Sequence, residues 1–412
     1  VYWTASLLQQ SAGWMQNVAV AWLLLEMTNS PLLLGLNWLF QSVPFICASM
    51  VAGAVADRMN RRKLLLLTQM GLFLVALTQA LLVFLGVIQV WHIYLLSALS
   101  LTCAGFESAA RQSFLPSLVP RKHLASAIAL HTSLHRSTAV IGPVLGGIAI
   151  ASVGVAGALF WNSIGYGLLI ASVLWTRVDT PAGSRRDPLW RSIVDGFVHV
   201  RERPMLWGLL MLQASASMFA TYAAMLPIYA RDILEIGPQG LGMLHSMVGA
   251  GSIAGMIIFI IYGAVASRGP AILLGSFLYP CLIIGFAIST NVTVSMALLF
   301  LAGAVDSVAG TARNTLNQLA VDDRFRGRVM SLSSISNRGL HQLGNVQSGL
   351  LASVVGPPVA MVAGGLLAVA YVVWAAVRIP ELSGRPRPSA GEGDLDEKSA
   401  VVIPPEPASS PR

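Results

Sequence analysis

The chain has 412 residues, of which 55% are apolar and only 11% are charged, and its formal net charge is +8. Soluble domains carry about 25% charged residues, so this composition excludes an ordinary water-soluble enzyme or binding domain and indicates a protein of the lipid bilayer. Cys47, Cys103 and Cys281 fall in separate apolar runs without CxxC spacing, which is typical of packing residues rather than disulfides or metal ligands.

Twelve apolar runs are long enough to cross roughly 30 Å of hydrocarbon as helices. They are predicted at residues 4–26, 32–56, 64–88, 93–115, 125–152, 156–176, 205–230, 241–266, 271–289, 292–312, 328–354 and 359–377. The sequence therefore predicts an all-α integral membrane protein with twelve transmembrane helices.

Basic residues predict the orientation of these spans, because cytosolic loops are enriched in Lys and Arg. With both termini in the cytosol, the inner loops hold Arg58, Arg61, Arg62, Lys63, Arg121, Lys122, the segment from Arg177 to Arg203, Arg268, Arg324, Arg326 and Arg328. The outer loops hold one basic residue, Arg231. The positive charge is thus expected to face anionic lipid, which makes nucleic acid an unlikely partner class.

An internal repeat divides the chain into two halves. GAVADR at residues 53–58 recurs as GAVASR at 263–268, and residues 110–154 align with residues 312–356 at an offset of 202, which pairs Arg111 with Arg313 and Arg136 with Arg338. Six-span halves enter the membrane from the same side, as in transporters that bind substrate between parallel repeats. We predict six-helix halves at 1–176 and 205–378.

The remaining segments are polar. Residues 177–204 have helical spacing of apolar side chains and are expected to form an amphipathic cytosolic helix, either a plain linker or a regulatory element. Residues 379–412 are rich in Pro, Ser, Gly and acidic residues, so we expect a disordered cytosolic tail.

Charged residues near the second and fourth spans predict a latch at the cytosolic rim. Asp57 precedes the start of the third span, where a helix dipole favours an anion, and Glu107 and Arg111 lie four apart on one helical face. We expect the latch to consist of Asp57, Arg58, Arg61, Arg62, Glu107 and Arg111. The alternative is a static rim of basic membrane anchors.

Asp306 is the deepest acidic residue predicted within a span. A carboxylate at a helix centre costs about 2.5 to 3.5 kcal/mol on insertion scales, so two interpretations of it are open. Asp306 either takes up a proton or meets a cationic group of the substrate, or it is a hydrogen-bonded structural partner of Arg338 or of polar side chains on the eleventh span.

Two motifs carry a family resemblance. Gly53-x-x-x-Asp57-Arg58-x-x-Arg61-Arg62 resembles the signature loop of the major facilitator superfamily, and Gly142-Pro143-x-x-Gly146-Gly147 resembles the exporter motif of that superfamily. The residues of the narrower resemblance, to the branch that contains the enterobactin exporter and macrolide efflux proteins, are Trp14-Met15-Gln16, Ala110-Arg111-Gln112, Val119-Pro120-Arg121 and Asp187-Pro188 with Gly196-Phe197. The resemblance implies the major facilitator fold, a bacterial inner-membrane location, and efflux with a role in siderophore export or drug resistance.

The loop motif departs from the superfamily at one position, where the usual glycine is Asn60. Asn can adopt left-handed turn geometry, so we expect the turn to be kept. The four residues Gly142, Pro143, Gly146 and Gly147 are expected to form a close, kinked helix contact that seals the interface between halves, and pure packing is the alternative.

The resemblance also implies that spans 1, 4, 7 and 10 line a central cavity. The predicted cavity residues are Gln10, Trp14, Asn17, Gln213 and Tyr222, beside Asp306. Amides and aromatic rings suit a large, partly apolar ligand, although the same side chains can simply join helices. The first span carries no carboxylate at membrane depth, which leaves proton coupling open.

We predict a secondary transporter that exports an amphipathic small molecule, a siderophore or drug-like compound, by proton antiport. The expected partners are the substrate, protons and membrane lipids, with the protein a monomer. No cofactor or metal is expected, because His131 and His135 at i, i+4 lack a third ligand and no catalytic motif is present. The alternatives are an uncoupled facilitator or importer and, from a different class, a membrane sensor or a lipid-modifying enzyme on this fold.

Overall fold

The computed structural model describes residues 2–114, 123–175, 197, 200–266, 269–321 and 323–378. Within these ranges the side chains at 50, 53, 54, 56–58, 61, 109, 112, 113, 124, 125, 128, 129, 131, 264–266, 323–328 and 330–338 are not described. Most of the predicted linker and all of the predicted tail lie outside the described residues. The described chain is helical and forms no β-strand, so the predicted all-α class is confirmed.

Twelve long helices follow one another along the described residues. They are α1 Tyr2–Thr28, α2 Pro31–Arg58, α3 Arg61–Phe84, α4 Val90–Phe114, α5 (124–153) and α6 (155–175) within Leu124–Trp175, α7 Pro204–Phe219, α8 Gly237–Ala266, α9 Gly269–Ile288, α10 Val292–Ala320, α11 Asp323–Val355 and α12 Pro357–Arg378. Gly154, with φ 74°, separates α5 from α6.

Seven of the described helical stretches are long and apolar enough to cross a membrane by composition alone, and the stretch Thr132–Trp175 among them is long enough for two crossings. Those outside this set are α1, α4, α7 and α11. α1 carries four amide side chains and α7 has only 16 residues. The number of twelve crossings therefore stays a prediction.

The turn before α3 differs from the sequence expectation. Asn60 has φ −60° and an extended conformation rather than a left-handed one, and its side chain accepts hydrogen bonds from the backbone N–H of Arg62 (3.0 Å) and Lys63 (3.2 Å). The residue is the N-cap of α3, a position that Asn favours because its oxygen satisfies otherwise unpaired amides. The turn is kept as predicted, but Asn60 forms it with an extended backbone and a side-chain cap rather than with left-handed geometry.

The seventh helix is broken, whereas one continuous span was predicted over 205–230. α7 ends at Phe219, and the chain continues through a short helical turn at Leu226–Ile228 and a π-helical turn at Tyr229–Ile233. The Tyr279 hydroxyl donates to the Ala220 carbonyl (3.1 Å), and the Ala224 N–H donates to Asn345 Oδ1 (3.1 Å). Irregular backbone is tolerated at membrane depth when protein groups satisfy it in this way.

The backbone repeats the symmetry of the sequence. Gly154 and Gly356, which the offset of 202 residues pairs, both have left-handed φ, 74° and 85°, at the turns after α5 and α11. Asn29 after α1 and Glu235 before α8 are also left-handed, with φ 48° and 55°. The two sequence repeats thus share a turn with positive φ at the same position, a geometry that few residues adopt.

Two helix pairs join the halves: α5 packs against α8, and α2 packs against α11. Within the N-terminal half α1 packs on the helix that contains α5 and α6, and within the C-terminal half α10 packs on α8. The space between the halves is therefore bounded by helices of both repeats, and it is there that the candidate site lies.

Candidate functional site

The interface between the halves is built around glycine. A Cβ atom on Gly147 would lie 2.5 Å from the Pro238 carbonyl and 3.0 Å from Gln239 Cα at the start of α8, and Gly35 of α2 faces Gly349 of α11 equally closely. Ser246 of α8 donates to the Val140 carbonyl of α5 (2.5 Å). Small residues let the helix backbones approach directly.

The four residues of the exporter-like motif divide between two neighbours. A Cβ on Gly142 would meet Trp14 of α1 at 2.6 Å, and one on Gly146 would meet Met15 Cα of α1 at 2.9 Å. Pro143 and Gly147 instead face α8, since the Pro143 carbonyl abuts Gly242. The motif therefore packs α5 against its own half on one side and against the opposite half on the other.

The repeat preserves this division in α11. Gly344, the partner of Gly142 in the alignment, packs on α7 of its own half, where its Cβ would lie 2.5 Å from the Ser217 carbonyl. Gly349, the partner of Gly147, packs on α2 of the other half. In each half, one helix rich in small residues therefore packs both on its own half and on the opposite half, through glycines at equivalent positions of the repeat.

Glu107 and Arg111 form an ion pair on α4, as their spacing predicted. The Arg111 guanidinium is buried and also donates to Ser6 Oγ (2.8 Å) and Gln9 Oε1 (3.0 Å) of α1. Gln69 of α3 donates to Glu107 Oε1 (3.0 Å). Side chains of α1 and α3 therefore hydrogen-bond to both members of this ion pair, and all of these partners belong to the N-terminal half.

The other predicted latch residues are described only in part. Arg62 donates to the carbonyls of Val173 (3.3 Å) and Leu174 (2.9 Å) at the C-terminus of α6, where the helix dipole favours a cation. The side chains of Asp57, Arg58 and Arg61 lie outside the described residues, and a latch that includes them stays a prediction.

The C-terminal half carries the matching arginine in a different charge environment. Arg313 of α10 is 3% exposed and donates to Gln213 of α7 (3.1 Å) and Ser276 of α9 (3.0 Å). Its nearest carboxylate oxygen belongs to Asp306, 3.8 Å away, and that side chain is 55% exposed, against 14% for Glu107. Asp306 is thus loosely paired and open.

Tyrosine and histidine side chains surround Asp306. Tyr222 in the segment after α7, Tyr279 of α9 and His341 of α11 are close enough to interact electrostatically with its carboxylate. Tyr222 was a predicted cavity residue, and it lies near the Asp306 carboxylate. Gln213 was another, and it bonds Arg313 and Ser217 (3.1 Å).

A cavity of about 90 Å³ lies between the halves. Its walls include the predicted residues Trp14 and Asn17 of α1, together with Asn37, Trp38 and Gln41 of α2 and His245 of α8. The described lining contains no Asp, Glu, Lys or Arg. Pockets for drug-sized ligands measure about 300–1,000 Å³, so this space must widen to hold a ligand of that size.

Sequence reasoning missed the contributions of α2 and α8 to the cavity. Asn37 and Gln41 are spaced i, i+4 and so share a face of α2, which is a signal that the sequence contains. Asn37 is 6% exposed and its Oδ1 has no hydrogen-bond partner among the described residues. The predicted cavity lining was drawn from spans 1, 4, 7 and 10 and therefore did not include these side chains.

The predicted cavity residue Gln10 takes part in a chain of hydrogen bonds instead. Its Nε2 donates to Ser6 Oγ (3.0 Å), which also accepts from Arg111, and its Oε1 lies 2.8 Å from His135 Nδ1 of α5. His131 has no described side chain. Among the described residues, no group of three His, Cys, Asp or Glu side chains is arranged to hold a metal ion.

The chain is similar to known transporters over most of its length. It is 24% identical over 362 residues to the staphyloferrin A transporter of Staphylococcus aureus (strain NCTC 8325 / PS 47), which covers 86% of this chain and 89% of the relative. It is 27% identical over 369 residues to the enterobactin exporter of Shigella boydii serotype 4 (strain Sb227), covering 84% of this chain and 83% of that exporter.

Among solved structures, the crystal structure of a bacterial homolog of the human lysosomal transporter Spinster, in an inward-facing and unoccupied conformation, matches with a TM-score of 0.71. The match has 15% identity and covers 94% of this chain and 98% of that one. This likeness concerns the fold alone. It agrees with the two packed helical halves described above.

A family model described as transmembrane secretion effector matches residues 1–397. These relatives are transporters rather than enzymes, and they indicate a multi-pass protein of the bacterial inner membrane. The match extends across both halves and therefore includes the glycine interface, the two arginine sites and the cavity. The chain belongs to the transmembrane secretion effector family of the major facilitator superfamily.

Proposed function

We propose that this protein exports an amphipathic small molecule, a siderophore or a drug-like compound, by alternating access driven by proton antiport. Its relatives include an enterobactin exporter and a staphyloferrin A transporter, which supports a small molecule of that kind. The cavity between the halves, lined by amides and indoles, is the proposed binding region.

The way the halves meet supports alternating access. Gly147 against α8 and Gly35 against Gly349 lie toward the ends of their helices that the predicted orientation puts outside. The described conformation would then be closed to the outside. To release substrate outward, these contacts must part, and we propose that the charge latch of Asp57, Arg58, Arg61, Arg62, Glu107 and Arg111 then holds the cytosolic side.

Proton coupling is assigned to Asp306. When its carboxylate is ionised it attracts Arg313, 3.8 Å away, and when it is protonated Arg313 keeps only neutral partners such as Gln213 and Ser276. Proton uptake would thus weaken the electrostatic attraction between Asp306 and the buried Arg313 guanidinium, which is hydrogen-bonded to α7 and α9. The contrast between the exposed Asp306 and the enclosed Glu107 is the observation that carries this assignment.

The test is export from cells that produce the full-length protein. Accumulation of siderophores, macrolides and dyes would be measured with and without a protonophore, beside Asp306→Asn and the control Asp232→Asn, whose carboxylate pairs with Arg231 at the surface. We expect export of at least one compound, lost with the protonophore and in Asp306→Asn but kept in Asp232→Asn. Export that survives both treatments would refute proton antiport through Asp306.

An uncoupled facilitator or importer is the second candidate, favoured by the polar face of α1. This helix carries the amides Gln9, Gln10, Gln16 and Asn17, of which only Gln9 is buried. Its one carboxylate, Glu26, lies near the helix end and accepts from Trp22 (2.6 Å). A compound that equilibrates across the membrane regardless of the proton gradient would support this candidate over antiport.

A further inference from the structure

Arg136 lies within a membrane span and has no carboxylate partner among the described residues. It lies on α5 less than one helical turn from the middle of that helix. Its Nη1 donates a long hydrogen bond to Ser252 Oγ of α8 (3.4 Å), and its buried Nε has no partner among the described residues. No described Asp or Glu forms an ion pair with it.

Two buried arginines, Arg111 and Arg313, have carboxylate partners that Arg136 lacks among the described residues. Arg111 is paired with Glu107 and Arg313 with Asp306, and each also donates to two uncharged side chains. An arginine at a helix centre costs about 2.5 to 3.5 kcal/mol on insertion scales and is seldom kept there without a function. Arg136 therefore leaves one positive charge uncompensated among the described residues.

The position of Arg136 is that of a substrate contact rather than a lipid contact. Ala139, Pro143 and Gly147 continue the same face of α5 and pack on Gly249, Gly242 and Gln239 of α8. Arg136 thus lies where the two halves meet. One turn further along α5, Val140 accepts a hydrogen bond from Ser246 of α8, and the neighbouring His245 lines the cavity.

We propose that Arg136 binds the carboxylate of the transported molecule, so that the substrate class is an amphipathic organic acid. A guanidinium offers a planar pair of donors that matches a carboxylate, and Ser252 on the opposite half adds a hydroxyl. The uncharged part of the molecule extends toward Trp14, Asn17 and His245, where the described lining carries no charge. The inference rests on the proposed transport function.

The repeat supplies a second arginine at the corresponding position of α11. Arg338 aligns with Arg136 at the offset of 202 residues, although its side chain is not described. Because α5 packs on α8 whereas α11 packs on α2, these two positions belong to different helix pairs, and the proposal rests on Arg136 alone.

The test measures binding directly, without a proton gradient, on the full chain in lipid nanodiscs at constant chloride concentration. Ligands are matched pairs of acid and neutral amide, salicylate with salicylamide and 1-naphthoate with 1-naphthamide, and the readouts are tryptophan fluorescence and the thermal midpoint. We expect at least one acid to bind tenfold or more tightly than its amide. Arg136→Gln should remove that preference, and Arg136→Lys should retain part of it.

Arg231→Gln is the control, because Arg231 lies in the π-helical turn after α7, where it pairs with the exposed Asp232 and donates to the Leu25 carbonyl (3.3 Å), and it does not line the cavity. It should leave both affinities unchanged. The inference is overturned if no acid is preferred over its amide, if Arg136→Gln binds acids as wild type does, or if this variant weakens acid and amide equally, as a structural role would require. Proton-driven export of neutral compounds alone would leave the proposed function standing and this inference refuted.

Discussion

Arg111 and Arg313 hold equivalent positions in the two repeats and make equivalent bonds, each to a glutamine on the first helix of its own half, Gln9 or Gln213. They differ in their acids. Glu107 lies one turn away from Arg111 and is enclosed, whereas Asp306 lies two turns away from Arg313 and is half exposed. One ancestral arrangement has thus become a structural ion pair in one half and an accessible carboxylate in the other.

Neutralising the enclosed acid should destabilise the protein far more than neutralising the open one. Glu107→Gln leaves the buried Arg111 charge without its partner, and removing one member of a buried pair costs about 3 to 5 kcal/mol. Asp306→Asn disrupts an exposed, longer contact and should cost under about 1 kcal/mol. The free energy of unfolding in mixed micelles checks this order, and equal costs would contradict the assignment of the two acids.

Adding one methyl group at the interface of the halves should impair both packing and transport. Gly147→Ala places a Cβ 2.5 Å from the Pro238 carbonyl, and overpacking of this kind costs about 1 to 3 kcal/mol. Gly13→Ala is the matched control, since nothing lies within 4 Å of its added Cβ. We expect reduced stability and export for Gly147→Ala alone; wild-type behaviour in both variants would show that the α5–α8 contact is looser than described.

The break after α7 should depend on the side chains that satisfy its backbone. Asn345→Ala leaves the Ala224 N–H without its acceptor, and an unsatisfied buried group costs about 1 to 3 kcal/mol. Tyr279→Phe removes the donor to the Ala220 carbonyl and should have a smaller effect in the same direction, because a carbonyl finds other donors more readily. Unfolding of the two variants in micelles would measure this, and no loss in Asn345→Ala would mean that the bond is dispensable.

Much of the fold was predictable because its signals are local or repeated. Apolar run length gave the helices, and the alignment of residues 110–154 with 312–356 anticipated the paired left-handed glycines Gly154 and Gly356. The spacing of Glu107 and Arg111 predicted their ion pair. The exporter-like motif was expected to seal the interface between the halves; Pro143 and Gly147 lie at that interface, whereas Gly142 and Gly146 pack on α1 of their own half.

The features that sequence missed depend on tertiary contacts. Pro227 is a local signal of a break within 205–230, but the end of α7 at Phe219 depends on Asn345 and Tyr279 of distant helices. The cavity draws Asn37 from α2 and His245 from α8, which helix periodicity alone does not bring together. Gln10 was expected in the cavity, and only the fold reveals His135 as its neighbour.

The most direct test of proton antiport separates coupling from substrate movement. Everted membrane vesicles with an imposed proton gradient would be loaded with a compound that the wild type exports, and its uptake against a concentration gradient would be compared with its exchange at equilibrium. We predict that Asp306→Asn abolishes gradient-driven accumulation while keeping equilibrium exchange near the wild-type rate. If Asp306→Asn accumulates the compound as the wild type does, Asp306 is not the coupling residue and the central account is wrong.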